Sequence, residues 1–169
     1  MNRQSILTAG LALAIAGTSF AAGNTTDGPN NADLIYNPAT GNLQLDSAEA
    51  AGGVVTVFQI ENAVGGDDFN DGNYISLTGG TFGGVFETVS PTVIGDSDFT
   101  FAGFSGVVDL GNVAPTGLDL TGLESFLTNA IYTGQSGSGA QTLDLVVIPE
   151  PSSLALVGLG GLLMARRRK

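Results

Sequence analysis

Three stretches carry residue types at spacings that can do chemistry. Residues 65–73 read G-G-D-D-F-N-D-G-N, so Asp67, Asp68, Asn70 and Asp71 offer the hard oxygen donors of which Ca²⁺ takes six to eight. The register departs from an EF-hand, because counting from Asp68 the third position is Asn70 but the fifth is Gly72. A solvated acidic turn is the competing reading. Asp96 and Asp98 flank Ser97, and two carboxylates can serve a glycosidase as acid and base or as nucleophile. With no Trp in the chain to stack a sugar and no basic neighbour to tune a carboxylate, hydrolysis ranks last among the readings. The third stretch is Pro149-Glu150-Pro151. Its prolines bias Ile148 and Glu150 toward extended backbone, which a processing enzyme can grip.

Composition removes most other chemistries. The chain has no His and no Cys, and its five basic residues are Arg3, Arg166, Arg167, Arg168 and Lys169. That excludes Ser-His and Cys-His pairs, disulfides and the usual zinc, copper or haem ligands, so no catalytic residue is assigned and no cofactor is expected beyond Ca²⁺. All sixteen acids lie between Asp27 and Glu150, a stretch without a base and of formal charge −16. Such a surface repels nucleic acid and attracts cations and basic partners.

Both ends read as addresses. Residues 1–21 combine a positive start at Arg3, an apolar run over 6–16 and the small-x-small site Ser19-Phe20-Ala21. This pattern predicts a secretory signal peptide cut between Ala21 and Ala22. At the other end, Pro149-Glu150-Pro151 precedes the apolar run 154–165 and the basic cluster Arg166, Arg167, Arg168 and Lys169. The run predicts a short transmembrane helix of about 18 Å against a hydrocarbon core of roughly 30 Å, too short for a permanent anchor. Basic residues stay on the cytoplasmic side, so both ends place the middle outside.

The ordered set in residues 149–169 resembles the PEP-CTERM sorting signal of bacterial envelope proteins. The resemblance implies that Pro149, Glu150 and Pro151, with Arg166, Arg167 and Arg168, are processing residues read by a membrane-embedded exosortase. It further implies export by the secretion machinery, a transient stay in the inner membrane, and delivery to the cell surface or extracellular matrix of a bacterium with an outer membrane.

Between the addresses, residues 22–31 predict a flexible polar lead and residues 32–148 a single domain. Short β-branched and aromatic runs separated by Gly, Asn, Asp and Pro predict strands at 33–36, 42–45, 54–61, 73–78, 85–89, 98–104, 107–110, 130–133 and 141–148. Nine short strands favour an all-β, two-sheet antiparallel β-sandwich. One short helix is expected over 119–129, capped by Thr121 with Glu124 three residues on and plugging one end of the sandwich. The aromatic residues Phe58, Phe86, Phe99, Phe101, Phe126 and Tyr132 are expected in the core, and Tyr36, Phe69 and Tyr74 at exposed positions beside polar loops. The run L-I-Y-N-P-A-T-G-N-L from Leu34 to Leu43, followed by short strands, is similar to cohesin-like and carbohydrate-binding sandwiches, which implies binding or adhesion. The resulting expectation is an exported, non-enzymatic surface, matrix or biofilm protein acting in adhesion or scaffolding, with polysaccharide or other surface proteins as partners. The alternative is a calcium- or glycan-binding module.

Overall fold

The computed structural model describes residues 30–50, 52–62, 68–80, 82, 86–135 and 139–148. Alternation sets the first hairpin. In β1 (Asp33–Asn37) and β2 (Asn42–Asp46), Leu34, Tyr36, Leu43 and Leu45 point inward and are fully buried, while their neighbours are partly exposed. The turn between them is held by Asn37, whose carbonyl accepts from Gly41 N at 2.9 Å and whose Oδ1 accepts from Ala39 N at 3.0 Å. Gly41 adopts φ +72°, and a Cβ there would lie 2.1 Å from the Ala114 carbonyl oxygen. Only glycine fits the turn and the approach of that loop.

Two sheets form around this start. The first runs β6-β2-β1-β9, with β6 at Val107–Gly111 and β9 at Asp144–Val147. The second runs β4-β5-β3-β7-β8, with β3 at Val57–Asn62, β4 at Phe86–Val89, β5 at Val93–Ser97, β7 at Leu127–Thr133 and β8 at Gln141–Thr142. Phe58, Ile60, Ile94 and Tyr132 line the core face of the second sheet against Leu34, Tyr36, Leu43 and Leu45 of the first. The architecture is therefore all-β with two sheets and one short helix, as the strand spacing predicts. The wholly antiparallel arrangement is corrected, because β1 and β9 pair in parallel, with Leu34 opposite Leu145. The last stretch supplies β8 to one sheet, passes through buried Leu143 and supplies β9 to the other, closing one side of the sandwich by switching sheets.

A strap closes the opposite side. Residues 73–78 were expected to be a strand, but Asp71–Asn73 is a single 3-10 turn and only isolated pairing follows. Tyr74 bridges to Gly111, and Ile75 N donates to Leu110 O at 3.1 Å. Ser76 Oγ then donates to Glu87 Oε2 on β4. The strap thus joins the β6 edge of one sheet to the β4 edge of the other.

The expected strand over 98–104 is a loop, and β5 stands where no strand was expected. Gly95 and Asp96 inside V-I-G-D-S look like turn residues. Gly95 is required because a Cβ there would lie 2.8 Å from the Phe58 carbonyl oxygen, so the neighbouring strand passes too close for a side chain. The expected helix forms as α1 (Leu120–Phe126), shorter than 119–129 because residues 127–129 join β7, and with a different cap. Asp119 accepts from Gly122 N at 2.7 Å, two residues before the expected Thr121. Leu123 and Phe126 face the core, α1 packs on β7 and β9, and Phe126 meets Phe69 edge-on at 5.1 Å.

Candidate functional site

Of the acidic loop, Asp67 lies outside the described residues, Asp68 and Asn70 are exposed, and Asp71 opens the 3-10 turn. The loop is seated by its backbone, with Phe69 N donating to Pro91 O and Asn70 N to Val113 O, both at 2.8 Å. Among the described residues no group of three or more His, Cys, Asp or Glu side chains comes together as a metal site.

Asp96 and Asp98 are both buried at 1 % exposure, which closes either carboxylate to a polymeric substrate. Their surroundings differ. The Asp98 carboxylate accepts from Thr100 N at 2.9 Å, Thr100 Oγ1 at 2.6 Å and Gly103 N at 2.8 Å, and so organises the 98–104 loop. Asp96 sits on the core face of β5, opposite Phe58 on one side and Glu87 on the other. Its Oδ1 accepts from Ser97 N at 2.8 Å, and its Oδ2 has no hydrogen-bond partner. Burial raises its pKa to about 6, with Glu87 and Asp98 adding to the rise and the Ser97 amide opposing it. The Thr78 hydroxyl lies beside Asp96 and offsets part of the rise, yet it is not placed to complete a hydrogen bond. The Tyr74 hydroxyl is likewise buried without a regular hydrogen bond, the Leu77 backbone lying near it. Burial, then Asp96 and Glu87, push its phenol above the ordinary value. Three orphaned oxygens, of Asp96, Thr78 and Tyr74, thus gather beneath the strap. The sequence singles out Asp96, and Tyr74 only as an exposed position, but not Thr78 or Glu87, because the unexpected β5 conceals the register that sets Glu87 opposite Asp96.

Phe58, Phe126 and Tyr132 are buried as expected, but the other aromatic residues are sorted the opposite way. Tyr36 and Phe69 are buried and Tyr74 is partly buried, whereas Phe86, Phe99 and Phe101 are 61, 62 and 56 % exposed. Phe86 opposes Ser97 at the end of β5, and Phe99 and Phe101 follow in the loop that begins at Asp98. Three phenyl rings therefore stand at one end of the second sheet. Loop geometry decides this: the Asp98 carboxylate holds a turn in which Phe101 takes φ +57°, so the period-2 alternation of a strand never forms.

The last described strand leads to the tail. Pairing with β1 continues to Ile148, whose N–H donates to Tyr36 O at 2.8 Å. The next residue is Pro149, so no spacer separates the β-sandwich from Pro149-Glu150-Pro151. Residues 147–169 match the PEP-CTERM protein-sorting motif. The match begins at Val147, inside β9, two residues before the point at which the sequence resemblance starts. The PEP-CTERM motif supports an exported, sorted surface or extracellular protein and implies an exosortase-type sorting system. No significant match to the chain is found among curated proteins or among solved structures. The likeness of the middle to cohesin-like and carbohydrate-binding sandwiches thus has no support from these comparisons.

The expected transmembrane helix is withdrawn. Its residues 154–165 lie outside the described residues, and among the described residues no helix is long and apolar enough to cross a membrane. The signal peptide and its Ala21–Ala22 cleavage site lie outside the described residues, as do Pro149, Glu150, Pro151, Arg166, Arg167 and Arg168.

Proposed function

We propose that this chain is a non-enzymatic surface or extracellular-matrix component, exported as an acidic β-sandwich and processed by an exosortase at Pro149, Glu150 and Pro151, with Arg166, Arg167 and Arg168 completing the signal. The observation that carries the reading is the PEP-CTERM motif at residues 147–169. Its role outside is adhesion or scaffolding. The exposed Phe86, Phe99 and Phe101 favour it, because such rings on a surface otherwise rich in carboxylates supply the apolar contact that charge alone does not. Replacing Pro149, Glu150 and Pro151 together by alanine in the native cell tests the sorting step. Mass spectrometry of the carboxyl terminus should find the wild type trimmed near Glu150 and the variant untrimmed and absent from the surface. Equal trimming and delivery of the two would refute the assignment.

Glycan binding by the same face is the second reading, since a phenyl face can pack on a sugar ring. A Phe99→Ser, Phe101→Ser double variant should be delivered normally but lose retention on isolated envelope polysaccharide. Unchanged retention removes the glycan reading.

A further inference from the structure

The strap and the β4 edge enclose an unusual set of groups. Asp96 is almost wholly buried on the core face of a sheet, with one carboxylate oxygen unpartnered. Glu87 stands in register beside it, on the same face of the neighbouring strand. Cross-strand partners have Cβ atoms about 5 Å apart, and like charges placed so repel. The hydroxyls of Thr78 and Tyr74, also without a regular hydrogen bond, lie near these carboxylates. Between Asp27 and Glu150 the chain has no Lys, Arg or His that could balance this charge. A buried carboxylate without a counter-charge is costly, and a positive ion relieves both the repulsion and the unmet oxygens.

We propose that Asp96 Oδ2, the Glu87 carboxylate and the Thr78 hydroxyl form a calcium site beneath the strap, with the Tyr74 hydroxyl beside it. The ligand chemistry selects the ion. All the donors are hard oxygens, which suit Ca²⁺ and not the softer transition metals. Three protein oxygens are fewer than the six to eight that calcium takes, so water supplies the remainder, and Glu87, partly exposed on the edge strand, gives solvent its way in. A site with so few protein charges falls in the weak range of extracellular modules, about 10⁻⁴–10⁻³ M. Binding ties strap 74–78 to β4 and β5, so the ion acts as a staple on the side of the sandwich that the strap closes, in a chain without disulfides.

The test uses the exported chain with Ca²⁺ as the added ion and Tb³⁺ as its luminescent stand-in. At 10 mM Ca²⁺ and pH 7.5 the Tm should rise by roughly 5 °C over the chelator control. The rise should vanish in Asp96→Asn, shrink in Glu87→Gln and persist in an Asp68→Asn, Asp71→Asn double variant. Tb³⁺ emission excited through tyrosine should follow the same order and fall in Tyr74→Phe. Below about pH 6 protons on Asp96 compete with the ion, and the rise should fade, Glu87, Asp98 and Tyr74 being the other titratable groups facing Asp96. A rise kept in Asp96→Asn but lost in the Asp68, Asp71 variant overturns this site in favour of the acidic loop. No rise in the wild type overturns it outright and leaves the three oxygens to water. Neither result touches the sorting assignment, which the carboxyl-terminal mass spectrum decides.

Discussion

Gly41 shows how much one residue carries. Its φ of +72° and the 2.1 Å that would separate a Cβ from the Ala114 carbonyl leave no room for alanine. Gly41→Ala should destabilise the fold by about 2 kcal/mol or more, read as a lowered denaturation midpoint at unchanged slope. Tyr36 makes the complementary case. Its hydroxyl donates to Pro115 O at 2.5 Å and accepts from Leu118 N at 3.2 Å, pinning the 113–118 loop to β1 from inside the core. Tyr36→Phe keeps the ring but strands a carbonyl and an amide, for a loss of about 1–3 kcal/mol in the same measurement. Tyr36 ends the expected strand 33–36 beside a polar loop, which is why it reads as exposed. The partners that bury it lie some 80 positions away.

Among the elements, α1 offers a clean discrimination between two caps. Thr121 with Glu124 has the spacing of a capping box, yet it is Asp119 that accepts from the Gly122 amide. Asp119→Ala should therefore cost about 1 kcal/mol, while Thr121→Ala should move the midpoint by no more than a few tenths. Equal losses would mean that the cap is shared. The hairpin β1–β2 was legible because alternation and a Pro-Gly turn lie within one short run. The element β5 was not, because Gly95 answers to the Phe58 backbone and Asp96 to the strap, neither of them neighbours in sequence.

At the scale of the molecule, charge governs stability. Asp33 sits in register between Asp46 and Asp144 on adjacent strands, and its pKa is raised to about 6 by burial first and then by Glu49, Asp144 and Asp46. Asp96 is raised to about 6 as well. An acid whose pKa is higher in the folded than in the unfolded chain holds its proton more tightly when folded. Stability from such a group is present below the unfolded value of 3.8 and is lost as pH rises through about 6. In chelator, the Tm should thus climb as pH falls from 7 toward 5, and Asp33→Asn or Asp96→Asn should each flatten the climb. A Tm that falls over this interval would contradict both shifts. The composition, the carboxyl-terminal sorting motif and the two-sheet all-β class follow from the sequence alone, because periodicity, turn residues and a terminal signal are local properties of the chain. Which aromatic rings face water, which strands run parallel and which carboxylates share a face were decided only by the tertiary structure. Those depend on register between distant strands, and a register shift of a single residue turns every side chain of a strand to the other face.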